Sequence, residues 1–165
     1  MDIDKILKGK RVLVVDDEKD VLETVEGLLS LCKLDTAATF EDAKGLMEKS
    51  HYDIVILDIM GVNGYDLLKI ANDHKIPALM LTAHALSSEN LKRSADEGAA
   101  YFAPKEKIED LPKFIADVLD ALEKKKSTWK RMFNRLGAFY DKRFNGPDWR
   151  EKEKAYWEKK MKQMF

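Results

Sequence analysis

Residues 12–18 read Val12-Leu13-Val14-Val15-Asp16-Asp17-Glu18, four aliphatic side chains followed at once by three acidic ones. A strand with one face in water alternates apolar and polar residues, whereas a strand covered on both faces is apolar throughout. The unbroken run therefore predicts a strand in a parallel sheet that has helices on both sides. The acidic residues mark the point where this strand ends.

Four further strands are predicted along the chain, and helical segments separate them. The five predicted strands cover residues 12–15, 34–38, 54–57, 78–81 and 100–103. Between them apolar residues recur every three or four positions, as at Val21, Val25 and Leu28, which is the period of an amphipathic helix. A fifth helix is expected over residues 111–122. This alternation of strand and helix predicts an α/β fold with a five-stranded parallel sheet.

Charge and composition change near residue 124. Residues 1–123 hold 15 Lys and Arg against 25 Asp and Glu, a net charge of −10, whereas residues 124–165 hold 14 against 5, a net charge of +9. Nine of the fifteen aromatic residues also lie in the basic part. We therefore expect an α/β domain over residues 1–124 and a basic, aromatic helical extension over residues 125–165.

Length and composition exclude several classes of protein. A chain of 165 residues suits one domain of ordinary size with an appendage. Its apolar stretches are far shorter than the roughly 20 residues that a membrane-spanning helix needs. No secretory signal is apparent at the start, and the single cysteine, Cys32, cannot form a disulfide within the chain. These features predict a cytoplasmic protein in a reducing compartment.

Polar side chains follow four of the five predicted strands, where an open α/β sheet places its chemistry. These side chains are Asp16, Asp17 and Glu18 after the first strand, Asp58 after the third, Thr82 at the end of the fourth and Lys105 after the fifth. Carboxylates a few ångströms apart raise one another's pKa unless a cation neutralises them, and Mg²⁺ prefers such oxygen ligands. The sequence therefore predicts a Mg²⁺ site at this edge of the sheet.

An ionised carboxylate beside such a cation can attack a phosphoryl group and form an acyl phosphate. Asp58 is the best candidate nucleophile because its strand is central, whereas Asp16 and Asp17 lie on a loop suited to holding the metal. Thr82 would then donate a hydrogen bond to a phosphoryl oxygen, and Lys105 would pair with the phosphoryl group as a point charge. Each residue alone is more simply a helix cap, turn or surface residue, so the hypothesis depends on their conjunction.

Four segments together carry a family resemblance. They are residues 12–18, Ile54-Val55-Ile56-Leu57-Asp58, Leu79-Met80-Leu81-Thr82-Ala83 and Gly98-Ala99-Ala100-Tyr101-Phe102-Ala103-Pro104-Lys105. In order, spacing and local sequence, the chain from about Lys10 to Lys124 resembles the receiver domain of two-component response regulators. The resemblance implies a (βα)5 flavodoxin-like fold and a role in phosphorelay signalling.

The resemblance also implies a role for each site residue. Asp58 would accept a phosphoryl group from a sensor histidine kinase or a phosphotransfer protein. Asp16, Asp17, Asp58 and the main-chain carbonyl of Met60 would hold Mg²⁺. Thr82 and Lys105 would contact the phosphoryl group, and Phe102 matches the aromatic that moves with the threonine in many receivers. Such a protein is a phosphoacceptor, with self-catalysed phosphotransfer and dephosphorylation, rather than an enzyme, and it signals to a downstream protein partner.

The chain departs from the family pattern beside two of these residues. The loop after Asp58 reaches Gly64 in six residues and has no proline, whereas the family commonly takes eight and has Met-Pro, so the loop is two residues short. Lys105 is followed by Glu106, where the family often has a proline. A loop too short to support metal binding would give an alternative function, a degenerate receiver that serves as a phosphorylation-independent scaffold.

Three positions bear on switching and on the lifetime of the phosphoryl group. Phe102 lacks the hydroxyl of the tyrosine that is commoner in the family, so a rotamer change there would act through packing. Met60 and His84 occupy positions that tune phosphoryl lifetime in receivers, and neither offers a carboxylate or an amide to orient water. We therefore expect a longer lifetime than in receivers with acidic or amide residues at these positions.

The basic extension has the pattern of two amphipathic helices. Its apolar stripe of Trp129, Phe133, Leu136 and Tyr140 is in phase with Leu122, which predicts that the fifth helix continues into it. Asn145-Gly146-Pro147-Asp148 predicts a turn with Asp148 as an N-cap. Trp149, Trp157, Met161 and Phe165 then share one helical row. A C-terminal helical hairpin is expected.

Several functions of the extension stay open at this point. The plainest is a hairpin that packs on itself or on the α/β domain. The acidic domain and the basic extension could also pair, within the chain or across a homodimer, as a phosphorylation-sensitive latch. Basic residues between aromatic ones are also typical of segments that bind nucleic acid or an anionic membrane. For the whole chain, a phosphatase of the haloacid dehalogenase type is disfavoured because neither Asp58 nor Asp16 begins an Asp-x-Asp motif.

Overall fold

The computed structural model of the protein describes residues 1–163. Five parallel strands form one sheet in the order β2-β1-β3-β4-β5. The strands are β1 Arg11–Val15, β2 Lys33–Ala37, β3 Ile54–Leu57, β4 Ala78–Thr82 and β5 Tyr101–Pro104. The predicted parallel sheet is confirmed, and each predicted strand end lies within one residue of the observed end.

Burial along the strands follows from their place in the sheet. In the inner strands β1, β3 and β4, every residue except Arg11 is buried, as the unbroken apolar runs predict. The edge strand β2 is only partly buried. The other edge strand, β5, is nevertheless buried along its whole length, Tyr101–Pro104. Another part of the molecule must therefore cover β5.

Helices flank the sheet and connect its strands. They are α1 Ile3–Leu7, α2 Lys19–Leu28, α3 Phe40–Lys49, α4 Gly64–Asp73, α5 Ser88–Asp96 and α6 Leu111–Glu123, with a 3₁₀ segment, Lys105–Asp110, before α6. Thr39 caps α3 by accepting the N–H of Asp42 at 3.2 Å. Gly98 follows α5 with a φ of +93°, a conformation that glycine adopts without strain. The five-residue helix α1 has too few turns to give a periodic signal in the sequence.

Within residues 1–163 three helices follow α6, and the first does not continue it. They are α7 Thr128–Arg143, α8 Asp148–Glu151 and α9 Lys154–Lys162. The prediction of a continuous fifth helix is wrong, because the chain turns at Lys125, whose φ is +57°, and Ser127 caps α7 by accepting the N–H of Lys130 at 3.1 Å. The turn lets the apolar stripes of α6 and α7 face a common core.

The predicted hairpin turn is confirmed, and the second helix differs from expectation. Asn145 and Gly146 have φ values of +65° and +110°, as a tight turn requires. Asp148 is not an N-cap: α8 begins at this residue, directly after Pro147, and has no side-chain cap. The chain then breaks at Glu153, outside helical geometry, so the predicted single helix is two short ones. Phe165 lies outside the described residues.

The hairpin of α7, α8 and α9 holds a set of packed aromatic side chains, continuous with the core of the receiver, which we call the aromatic cluster. Its members are Trp129, Phe133, Tyr140, Phe144, Trp149 and Trp157. The rings of Phe133 and Trp149 stack at a centroid distance of 5.8 Å, and Phe133 meets Trp157 edge-on at 5.0 Å. Trp157 is fully buried here. The aromatic residues of the basic extension thus serve mainly as packing groups.

The hairpin lies along β5 and accounts for the burial of that edge strand. The Trp129 indole N–H donates to the carbonyl of Ala99 at 3.1 Å, just before β5 begins. The Tyr140 hydroxyl donates to the carbonyl of Phe102 within β5 at 2.7 Å. Both rings are buried while their polar atoms are satisfied by the backbone. Helix α7 therefore runs beside β5, with its start near the strand's amino end.

No helix within residues 1–163 combines the length and the apolar character that crossing a membrane requires.

Candidate functional site

The loop after β1 carries three carboxylates close together. Asp16 is buried and its Oδ1 accepts the backbone N–H of Glu18 at 2.9 Å, which fixes its orientation. Asp17 and Glu18 are exposed beside it. One oxygen from each of these three side chains lies within 4.8 Å of the other two. Oxygens at this spacing can bind one hard divalent cation.

Lys105 joins this cluster to Asp58 at the end of β3. Its ammonium lies 2.7 Å from Asp16 Oδ2 and 3.3 Å from Asp58 Oδ1. A third carboxylate, Glu18, lies 3.3 Å from the same nitrogen. The structure thus brings together side chains from the ends of β1, β3 and β5, as the topology of the sheet predicts. Three carboxylates, those of Asp16, Glu18 and Asp58, lie within 3.3 Å of this one ammonium, and Asp17 adds a fourth carboxylate beside them.

The carboxyl of Asp58 has a raised pKa, chiefly because it is buried. Burial raises the pKa of the Asp58 carboxyl to about 6; Lys105 opposes the shift, while Asp16 and Asp17 add to it. Burial lowers the pKa of Lys105, but its carboxylate neighbours more than offset that effect, so the net shift is upward. Lys105 is therefore held as a cation, and the site still carries excess negative charge. A bound divalent cation would neutralise it.

The short loop after Asp58 closes tightly against the acidic side chains. Gly61 has a φ of +85°, and a Cβ at this position would lie 2.6 Å from Oδ2 of Asp17. A Cβ at Gly64 would lie 2.1 Å from the main-chain oxygen of Asp58. The loop can be short because both positions lack a side chain. Met60 lies within it with an exposed side chain, and its carbonyl stays a predicted ligand.

Thr82 and Phe102 lie on the neighbouring strands β4 and β5. Thr82 is buried, and its Oγ1 accepts the N–H of Ala85 at 3.2 Å, which leaves the hydroxyl proton able to donate. Phe102 is also buried, and its ring lies 5.9 Å from the ring of Tyr140 in α7. The aromatic predicted to move with Thr82 therefore contacts the hairpin. His84, by contrast, is exposed.

Sequence reasoning missed two features of this site. Gly61 was not singled out, although a glycine three residues past a candidate nucleophile in a shortened loop is a usable signal. Glu18 was grouped with the acidic residues but left out of the predicted ligand set. In the described part of the chain, the compact carboxylate cluster comprises Asp16, Asp17 and Glu18, and Asp58 is linked to it through Lys105.

Residues 12–116 match the family model of the response regulator receiver domain. The chain belongs to the response regulator receiver family. The matched segment contains every residue of the site described above and ends within α6. The hairpin of α7, α8 and α9 lies beyond it.

Curated relatives include proteins from plants and bacteria. Two-component response regulator ARR18 of Arabidopsis thaliana is 39% identical over 88 residues, which are 50% of this chain and 14% of that protein. Heme response regulator HssR of Staphylococcus aureus is 38% identical over 82 residues, 47% of this chain and 37% of that protein. The chain thus corresponds to a minor part of either relative. What it shares with them is the receiver of two-component signalling.

Solved receiver structures match the fold over nearly their whole length. A CheY-like receiver domain protein from Methanospirillum hungatei is 27% identical with a TM-score of 0.64, and the match covers 71% of this chain and 98% of that one. A response regulator from Chloroflexus aurantiacus is 28% identical with a TM-score of 0.60, and the match covers 68% and 99%. About a third of this chain therefore has no counterpart in either.

Proposed function

We propose that this receiver is a working phosphoacceptor in which Asp58 takes a phosphoryl group from a sensor histidine kinase or a phosphotransfer protein. The observation that carries the proposal is the placement of Lys105, which reaches Asp16 and Asp58 at 2.7 and 3.3 Å. A reacting phosphoryl group needs a carboxylate nucleophile and nearby positive charge, and both are at this edge of the sheet.

The acidic side chains fit a Mg²⁺ ion, since their excess negative charge favours a hard cation with oxygen ligands. Asp16, Asp17 and Asp58, with the carbonyl of Met60, are the proposed ligands, and Glu18 is close enough to contribute through water. When bound, Mg²⁺ would neutralise phosphoryl oxygens and so ease the approach of an anionic nucleophile.

Side chains of the protein itself perform the proposed phosphoryl transfer. An ionised oxygen of Asp58 attacks the phosphorus atom of a phosphohistidine, the P–N bond breaks, and the imidazole leaves with the electron pair. Lys105 already lies 3.3 Å from Asp58, so its ammonium is placed to pair with the arriving phosphoryl group. Thr82, buried on β4, can turn its hydroxyl proton toward a phosphoryl oxygen. The result is an acyl phosphate, and the protein acts as a signalling acceptor rather than as a classical enzyme.

Intact-mass analysis after incubation with acetyl phosphate tests this proposal. The wild-type chain should gain one phosphoryl group when Mg²⁺ is present and none when it is chelated. Asp58→Asn should gain none, while Asp73→Asn, which alters an exposed carboxylate at the end of α4, should behave as wild type. If wild type gains no adduct from either acetyl phosphate or a phosphohistidine donor and binds no Mg²⁺, the scaffold alternative would replace this function.

A further inference from the structure

The segment that carries Lys105 is held from outside the receiver fold. Tyr140 of α7 donates its hydroxyl to the carbonyl of Phe102, three residues before Lys105, at 2.7 Å. Arg143, the last residue of α7, forms an ion pair with Glu106, the residue directly after Lys105. The two contacts bracket Lys105 in the sequence, one in β5 and one in the 3₁₀ segment.

A third contact joins the same segment to Phe139 of α7. The Lys107 ammonium lies 5.2 Å from the centre of the Phe139 ring, and the Arg143 guanidinium lies 5.0 Å from it. Cations at this distance from an aromatic face are attracted to it. Phe139 also meets the ring of Tyr140 edge-on at 5.5 Å. The C-terminal turns of α7 therefore contact residues on both sides of Lys105.

We propose that α7 positions Lys105 for the reaction at Asp58, with Tyr140 and Arg143 as positioning residues. This inference rests on the proposed phosphoacceptor function and gives the hairpin a part in it. A lysine side chain is a flexible chain of four carbons. Its ammonium therefore reaches a defined position only if the backbone at that residue is held in place. Tyr140 and Arg143 supply that restraint where the chain leaves the sheet, and an error of about 1 Å in such a group can slow a reaction severely.

The start of α7 offers a matched control. Arg131 pairs with Asp120 of α6 at 2.9 Å and so also ties the hairpin to the receiver. Arg131 and Arg143 are twelve positions apart in the helix, which is about 18 Å along the axis. Arg131 therefore shares the chemistry of Arg143 without its nearness to Lys105.

The proposal is tested by comparing the phosphorylation rates of variants at the two ends of α7. With saturating acetyl phosphate and Mg²⁺, Arg143→Gln and Tyr140→Phe should each slow the appearance of the phosphoryl adduct, by about three- to tenfold. Arg131→Gln should leave the rate within about twofold of wild type, and Arg143→Lys, which retains the charge, should recover most of the lost rate. Urea unfolding of each variant shows whether the fold is retained.

The reactivity of Lys105 gives a second measurement that needs no phosphoryl donor. The Lys105 side chain is only 9% exposed, so an amine-acetylating reagent should modify it slowly in wild type. Peptide mass mapping should show faster acetylation of Lys105 in Arg143→Gln and an unchanged rate in Arg131→Gln. If Lys105 labelling is equal in these two variants, or both slow phosphorylation alike, the proposal is overturned. If wild type takes no phosphoryl group, the phosphoacceptor function fails, and labelling alone decides whether α7 restrains Lys105.

Discussion

The protein buries carboxylates in two regions and neutralises them differently. At the candidate site, Asp16 and Asp58 share the single ammonium of Lys105, with two more carboxylates beside them. Between the receiver and the hairpin, Asp117 accepts two hydrogen bonds from Arg135, at 2.6 and 2.9 Å, and one from the Tyr101 hydroxyl at 2.6 Å. We call this second group, Tyr101, Asp117 and Arg135, the anchor.

The two regions differ in how completely their buried charge is paired. In the anchor both oxygens of Asp117 have donors, and one carboxylate meets one guanidinium. Burial and Asp117 raise the pKa of the Tyr101 hydroxyl well above its usual value, so this group remains a donor. At the site the carboxylates outnumber the cation, and burial, with smaller contributions from Asp16 and Asp17, raises the pKa of Asp58 to about 6. Buried charge left over after internal pairing is what an incoming cation or phosphoryl group can use.

The largest effect is expected from breaking the anchor. Arg135→Ala would leave Asp117, whose side chain is only 4% exposed, without its counterion. We expect a loss of about 3 kcal/mol in the free energy of unfolding, because an unpaired buried charge is strongly destabilising. Urea unfolding measures this. Lys19→Ala, which breaks an exposed pair with Glu23, should cost about 0.5 kcal/mol or less, and equal losses in the two variants would refute the contrast.

Removing the charge of Asp58 should increase the free energy of unfolding, whereas breaking the anchor decreases it. Without metal, Asp58 has a folded-state pKa of about 6 against an ordinary value of 3.8, so its ionised form weakens the fold. Wild-type stability should therefore fall as pH rises from about 4 to 6. Asp58→Asn lacks this loss and should be more stable than wild type at pH 8 by about 1 to 2 kcal/mol. Thermal unfolding in EDTA across this pH range is the check, and a less stable variant would contradict the account.

Binding of Mg²⁺ at the site should increase the free energy of unfolding, and this increase should not depend on the anchor. At several times its dissociation constant, the ion should add about 1 kcal/mol to wild-type stability. Asp17→Asn removes a proposed ligand next to Gly61 and should abolish most of that gain. Arg135→Ala should still gain it, because the anchor lies away from the acidic cluster. An equal gain in wild type and Asp17→Asn would show that the ion acts elsewhere.

The smallest expected effect concerns the lifetime of the phosphoryl group. Neither Met60 nor His84 has a side-chain carboxylate or amide that could orient an attacking water. The acyl phosphate on Asp58 should therefore persist for longer than seconds. His84→Asn and Met60→Asn should each shorten it, by about twofold or more. Time-resolved intact-mass spectra after donor removal measure the decay, and decay of the wild-type adduct within seconds would contradict this prediction.

The sheet and most of the site followed from local sequence because their signals are local. An unbroken apolar run predicts a covered strand, and a parallel sheet brings all strand ends to one edge, so Asp16, Asp58 and Lys105 had to converge. The end of α6 was not predictable in this way. The seven-residue spacing from Leu122 to Trp129 fits one continuous helix as well as two that share a core.

The docking of the hairpin on β5 depends on contacts between distant residues, which a periodic pattern does not show. One signal was available: Asp117 and Asp120 lie among the buried apolar residues of α6, and Arg135 follows Arg131 at a spacing of four in α7. A carboxylate on a buried face needs a partner, and four of the six arginines of the chain lie in the basic extension. Glu106, which departs from the family pattern, likewise found its partner in Arg143.

A ¹³C NMR pH titration of the Asp58 carboxyl carbon, with and without Mg²⁺, tests most directly the claim that Asp58 is a buried carboxylate whose charge Lys105 does not fully offset. The account predicts a midpoint near pH 6 in the metal-free protein and a clearly lower midpoint when Mg²⁺ is bound. A metal-free midpoint below 4 would show that Lys105 outweighs the effect of burial on Asp58, and a midpoint that Mg²⁺ does not move would show that the ion is not held beside Asp58; either result would contradict the account.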